Sequence, residues 1–372
     1  MSAVSMGSAF AVSGAASLLA SWALVARLER LGSRFGMPDA LLGVVAACAA
    51  DSPELTSAIA ALARHQVTVG AGVVLGSNLF NLAALLGLST LIAGRIALHR
   101  RVVLLSGAVA VWVAAVSLLV LLGWLPAGGG LLLVGAALAP YILVLGLPRA
   151  RRRRLPLPRR WAHWLALAVS EEERELAEPH LSEAPVLRDL GVATGALLVV
   201  VAASVLMERA VTELGRQYKV PDLVIGALVL AAVTSLPNAV TAGYLAVRGR
   251  GAAVLSTALN SNAINVAAGW LLPVTVAGVA VASTGDALMG YFYLGVTGLS
   301  LVWAFARRGL NRPAALLIIG AYLAFTGSVL ATAGLPPLWL AIALSMSWAA
   351  PCVWAVASSA RERTGVISQS SR

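Results

Sequence analysis

Asp51 and Glu54 stand three residues apart in an otherwise apolar stretch, Ala47-Cys-Ala49-Ala50-Asp51-Ser-Pro53-Glu54. Three-residue spacing puts both carboxylates on one face of a helix. At the centre of a bilayer each costs ~2.5–3.5 kcal/mol on insertion scales. Such groups are kept where they face a polar cavity and carry function. A basic partner could neutralise them, but no Lys or Arg falls inside a neighbouring apolar run. Ser77 and Asn81 share a helical face, as do Ser261 and Asn265, and Thr234 and Asn238. With Asn78, Ser235 and Asn262 they add hydroxyl and amide oxygens to the two carboxylates. An all-oxygen set suits Na⁺, Ca²⁺ or Mg²⁺ rather than Zn²⁺ or Cu²⁺. Asp51 and Glu54 are the charged metal ligands on offer. The neutral residues could instead serve as interhelical hydrogen bonds.

Pro53 and Pro237 extend the candidate site to the backbone. A proline inside a helix frees the carbonyl four residues before it, here Ala49 and Val233. Ala47 and Ala50 lie beside the first of these. In lipid a freed carbonyl must find a partner, either a cation or a hydroxyl. Two carboxylates on adjacent turns repel each other and titrate as a unit, so a proton competes with a metal ion for them.

The elements that must position these residues are membrane helices. The chain has 372 residues, 59% hydrophobic and 12% charged, about half the charged share of a soluble domain. Mean hydropathy is +0.88. Apolar runs long enough to span fall at 7–26, 38–63, 68–93, 102–123 and 128–147 in the first half. In the second half they fall at 190–208, 221–247, 252–279, 287–306, 313–333 and 338–358. The first run has no basic segment ahead of it and reads as a membrane helix rather than a cleaved leader. Cys48 and Cys352 lie in apolar runs, which argues for small packing residues and against a disulfide framework. None of the four histidines falls at mid-membrane depth.

The net charge of +11 raises the question of nucleic acid. Its distribution answers it. With the N-terminus outside, 23 of the 27 Lys and Arg residues fall on the cytoplasmic side, as membrane orientation requires. The expected setting is a multi-pass chain in the plasma membrane, with membrane lipid and inorganic cations as partners, a cytoplasmic C-terminus and no nucleic acid. A monomer suffices for this reading. The one long loop, 148–189, is basic at its start and acidic after Glu171. It reads either as a charged linker that fixes topology or as a helix lying on the membrane surface.

An internal repeat ties the candidate residues together. Pro53 to Ser77 spans 24 residues, as does Pro237 to Ser261, and Ser-Asn-x-x-Asn recurs at an offset of 184. Five spans and a cytoplasmic loop separate the copies, so they enter the membrane in opposite orientations. Inverted repeats with polar, proline-interrupted helices at matching positions point to a transport site near the midplane.

These paired stretches resemble the two alpha repeats of the sodium/calcium exchanger family, within the calcium/cation antiporter superfamily. The close match covers about 45 residues in each half. The resemblance implies an all-α polytopic fold of two inverted five-helix repeats plus one extra C-terminal helix. The organisation it implies is a first repeat over 1–147, the loop over 148–189, a second repeat over 190–333, and a terminal helix with tail over 334–372. It also implies a secondary antiporter, not an enzyme, working by alternating access and needing no cofactor beyond the transported Na⁺, Ca²⁺ or H⁺. The family's two key acidic positions fall on Glu54 and Asn238. A third, common to many members, falls on Asn265. The family's Thr-Ser before the first proline is Ala50-Asp51 here. Two acids are thus neutralised and one new acid appears, which brings Na⁺/H⁺ exchange into contention with calcium exchange. Two readings from other classes are a non-transporting ion sensor and an intramembrane enzyme. Asp51 and Asp286 could pair as protease aspartates, but the required Gly-x-Gly-Asp is absent.

Overall fold

The computed structural model describes residues 3–152, 156–176, 185–278 and 284–334. The expected span 338–358 and Cys352 lie outside the described residues. Two long helices, α1 (Ala3–Arg34) and α8 (Val186–Tyr218), have 32 and 33 residues. At 1.5 Å per residue each is about 50 Å long, well beyond the ~30 Å hydrocarbon layer. The apolar runs at 7–26 and 190–208 mark only their lipid-embedded parts. Beyond these, Arg27, Arg30, Arg209 and Arg216 continue the helices, because arginine is a good helix former once it reaches water.

α1 and α8 lie along each other. Arg27 pairs with Asp189 at 2.9 Å near one end. Ser17 and Ser204 share a hydrogen bond of 2.7 Å near the middle. The remaining helices are α2 (Asp39–Ala50), α3 (Ser52–Ala63), α4 (Val67–Ala93), α5 (Arg100–Leu121) and α6 (Ala127–Gly146). A loop helix α7 (Arg159–Leu176) then precedes α8. The second half continues with α9 (Asp222–Thr234), α10 (Leu236–Val247), α11 (Gly251–Ile264), α12 (Thr284–Arg307) and α13 (Arg312–Thr332).

Seven of these helices are long and apolar enough to cross a membrane alone, and the bent pair α9–α10 makes an eighth. The pair α2–α3 and the run from Gly251 through Ala277 are the two further core segments. α4 sits innermost, with 94% of its apolar window buried against 28% for α1 and 33% for α8. The long pair therefore faces lipid while α4 is enclosed by protein.

Glycines let the centre close. A Cβ on Gly76 would stand 2.3 Å from the Ala227 carbonyl, and one on Gly226 would stand 2.5 Å from that of Val69. The α4 and α9 backbones thus touch where they cross, which brings Ser77 beside Thr234. π-helical turns follow the Ser-Asn motifs of both repeats, at Leu82–Leu88 and Asn265–Leu271. Such turns are often placed at functional positions. A short antiparallel ladder, β1 (Arg95–Ala97) with β2 (Gly309–Asn311), ties the two halves together on the basic side.

Two expectations change here. Cys48 is exposed on the outer face of α2 rather than packed inward. The described part of the 148–189 loop is docked on the helices rather than lying only on the membrane surface. Its helix α7 packs against α2, α5 and α11. The fully buried Arg152 donates to Glu173 at 2.5 Å and to the Val144 and Leu145 carbonyls at 3.1 and 3.0 Å. Arg101 adds a 2.7 Å bond to Glu171.

Gly76→Ala is expected to lower the thermal stability of the purified protein by about 1–3 kcal/mol, the usual range for overpacking. Gly135→Ala, where no neighbour lies within 4 Å, is the control and is expected to unfold at the parent temperature.

Candidate cation site at the paired helix breaks

The chain breaks its helices at equivalent places in the two repeats. Asp51 lies between α2 and α3 with φ −78° and ψ −5°, and Ser235 lies between α9 and α10 with φ −83° and ψ −1°. Each break comes two residues before the proline. Pro53 and Pro237 therefore occupy the first turn of the next helix, where a missing N–H costs nothing. The helices are interrupted at both places, with a 46° bend between α9 and α10. The ends of α2 and α9 turn their partly negative carbonyl termini toward the break, which favours a cation there.

All eleven candidate side chains meet at these breaks, and all are buried. Asp51 and Glu54 are both 0% exposed. Asp51 Oδ1 accepts from Ser261 Oγ at 2.5 Å and from Asn238 Nδ2 at 2.6 Å. Glu54 Oε1 accepts from Ser235 Oγ at 2.5 Å. Asp51 and Glu54 stand one helical turn apart, both buried where the first repeat meets the second. Each acid of the first repeat thus binds a residue of the second, and the pattern crosses: 54 meets 235, and 51 meets 238.

The Ser-Asn motifs lock together with the same symmetry. Asn78 Nδ2 donates to the Asn262 carbonyl at 3.1 Å, and Asn262 Nδ2 donates to the Asn78 carbonyl at 3.0 Å. Asn81 Nδ2 donates to Asn262 Oδ1 at 3.1 Å, and Asn265 Nδ2 donates to Asn78 Oδ1 at 3.3 Å. Ser77 Oγ reaches Thr234 Oγ1 at 3.5 Å and the Ala231 carbonyl at 3.4 Å. Hydrogen bonding is thus found for these residues, and it engages chiefly their amide nitrogens. The amide nitrogens are spent on structure and several oxygens are left over.

The leftover atoms form a pattern. Asp51 Oδ2, Glu54 Oε2, Asn81 Oδ1, Asn238 Oδ1 and Asn265 Oδ1 are buried side-chain oxygens that accept no hydrogen bond. A buried acceptor left unpaired costs about 1–3 kcal/mol, more when charged. Every one of them is a potential cation ligand.

The backbone candidates are largely engaged. The Ala49 carbonyl accepts from Ser52 Oγ at 2.6 Å and from Ser21 Oγ at 3.3 Å. Ser21 also reaches the Ala50 carbonyl at 3.3 Å. The Ala47 carbonyl accepts from Asp51 N at 2.9 Å. Val233 is buried one turn before Pro237.

Sequence reasoning missed Ser17, Ser21 and Ser204, all fully buried on α1 and α8. The signal was present: Ser13, Ser17 and Ser21 recur every four residues on one face of the first apolar run. It also missed Tyr141, whose hydroxyl donates to Asn260 Oδ1 at 3.0 Å beside Ser261. Asp286 lies in the first turn of α12, far along the chain from this cluster.

The sequence model of the sodium/calcium exchanger protein family matches residues 7–148 and 190–331, most of the chain and both halves. The chain belongs to the sodium/calcium exchanger family. That family is one of transporters, and the chain is a multi-pass membrane protein with the two-repeat exchanger architecture. Among solved structures, the H⁺/Ca²⁺ exchanger CAX shares the fold with a TM-score of 0.63 at 13% identity, covering 99% of this chain and 93% of that one. The sodium-calcium exchanger NCX_Mj matches with a TM-score of 0.55 at 18% identity, covering 87% and 98%. A putative antiporter, CaxA of Alkalimonas amylolytica, is 37% identical over 84 residues, a match spanning 22% of this chain and 26% of that protein.

Asn262→Ala removes the bonds from Asn262 Nδ2 to the Asn78 carbonyl and from Asn81 Nδ2 to Asn262 Oδ1, while the Asn78 carbonyl keeps its bond from Leu82 N. The variant is expected to unfold about 1–3 kcal/mol more easily in detergent, on the scale of about 0.5–1.5 kcal/mol net for each of the two lost hydrogen bonds. A thermal melt checks this.

Proposed function

We propose that the chain is a secondary antiporter that exchanges a small hard cation, Ca²⁺ or a similar ion, against Na⁺ or H⁺ by alternating access. One observation carries this reading. Two carboxyl groups share a fully buried site, no basic side chain among the described residues is paired with them there, and five buried oxygens are uncommitted. An isolated pair of buried carboxylates must take up positive charge. A divalent ion neutralises both acids at once. A sodium ion and a proton do the same together. Either outcome leaves an uncharged core free to change its exposure. Calcium takes about 6–8 oxygens, which the five side-chain atoms could complete only with water or backbone carbonyls. The relatives named for sodium, calcium and proton exchange support the same range of ions.

The asymmetry of charge favours a second reading within the class. Both acids lie on the first repeat, and their counterparts on the second are Asn238 and Ser235. Two buried acids one helical turn apart titrate as a unit and suit a shared proton, so Na⁺/H⁺ exchange without calcium movement is the alternative. The distribution of basic loops supports a plasma-membrane protein with its N-terminus outside and the 148–189 loop in the cytoplasm.

Reconstitution with an internal pH dye and radioactive calcium separates the two readings. Sodium-driven calcium uptake supports the first. Sodium-driven pH change without calcium movement supports the second. Glu54→Gln is expected to abolish flux in either case while the protein still purifies as a folded species. Parent-level flux in that variant would remove Glu54 from the mechanism.

A further inference from the structure

Asp51 and Glu54 are sealed from solvent, so an ion reaches them only when part of the molecule moves. The α1–α8 pair is the piece best placed to do so. Its helices hold each other through Arg27–Asp189 and Ser17–Ser204, and both face lipid along most of their length. The helices that carry the site are enclosed instead.

At the end remote from the basic loops, this pair grips the core. Glu208 of α8 is fully buried and forms an ion pair with Arg64, the residue that ends α3. Thr212 Oγ1 donates to Glu208 Oε1 at 3.0 Å. The Gln66 amide, with its nitrogen turned toward Glu208, donates to Oε1 at 3.0 Å and accepts from Arg216 at 3.0 Å. Arg64 and Gln66 flank His65, whose φ of +58° makes the tight turn from α3 into α4. One carboxylate on α8 therefore holds the tip of a hairpin. Its first arm carries Glu54 and its second carries Ser77, Asn78 and Asn81.

We propose that Glu208 is a positioning residue for transport. Through Arg64 and Gln66 it clamps the α3–α4 hairpin to α8 and keeps the site closed on the side away from the basic loops. Release of the clamp lets the long pair part from the hairpin and opens that side to the ion. The proposal rests on the antiporter reading, but its physical content is the opening itself, which can be read without flux.

Ser57 reports that opening. It is buried on α3, one turn from Glu54 toward Arg64, and its hydroxyl has no hydrogen-bond partner. In a background with Cys48 and Cys352 replaced by alanine, Ser57→Cys is labelled with a membrane-impermeant maleimide from each side of oriented vesicles. Glu208→Gln is expected to speed labelling about tenfold, within the usual range of coupling between sites, from the side away from the basic loops only. Arg64→Gln is expected to do the same, and Arg64→Lys to label near the parent rate. Unchanged labelling in both charge-removing variants would overturn the proposal, as would equal acceleration from both sides. Arg64 is partly exposed, so Arg64→Gln decides the matter if Glu208→Gln fails to fold. Where flux is measurable, Glu208→Gln should lower the half-saturating ion concentration on the same side and raise it on the other. Lack of flux with any ion would defeat the antiporter reading and leave the labelling result standing.

Discussion

The structure turns on two carboxyl groups buried one helical turn apart, with no cationic side chain paired with them among the described residues. In a medium of low dielectric, like charges at that distance repel strongly. The donors that approach them are a serine and an asparagine at Asp51 and a serine at Glu54. These are neutral dipoles, enough to hold the acids in place but not to neutralise them. Each acid keeps one oxygen without a donor. The remaining demand is for a positive charge small enough to enter and free enough to leave. A permanent arginine at this spot would meet the electrostatic need and block the site. Acid–base pairs lie toward the ends of the helices, where they fasten elements together: Arg64 with Glu208, Arg152 with Glu173, and Arg27 with Asp189.

Much of the rest follows from placing that pair at the meeting point of two inverted halves. The breaks at Asp51 and Ser235 remove helical hydrogen bonds at equivalent depths, and hydroxyls of Ser21 and Ser52 take up the carbonyls of the first break. The reciprocal Asn78–Asn262 bonds fix α4 against α11 at the level of the acids. The glycines at 72, 76 and 226 bring α4 and α9 close enough for a hydroxyl of one to reach the other. The symmetry is geometric and not electrostatic, because the backbone repeats while the charge sits on one side. A rigid, two-fold scaffold thus presents an asymmetric set of ligands.

The spans within the described residues, the repeat and the clustering of the eleven candidate residues were legible because each leaves a local trace. Hydropathy marks the spans, and Pro and Ser-Asn-x-x-Asn recur at fixed separation. Three things were not legible, each for a physical reason. The true lengths of α1 and α8 exceed their apolar windows, since an amphipathic end in water looks like a loop to a hydropathy scale. The docking of α7 depends on Arg152 meeting Glu173, a pairing that charge counting cannot assign. The division of labour within Asn81, Asn238 and Asn265, nitrogen for the scaffold and an uncommitted oxygen, depends on side-chain orientation and has no counterpart in residue type.

The most direct measurement is equilibrium binding of radioactive sodium and radioactive calcium to the purified protein across a range of pH. Protons and cations compete for the same two acids, so acid should displace the ion. The expected result is saturable, stoichiometric binding of at least one of the two ions, suppressed by acid and lost in both Asp51→Asn and Glu54→Gln. Saturable binding that survives both substitutions, or that ignores pH, would contradict a site built on the Asp51–Glu54 pair.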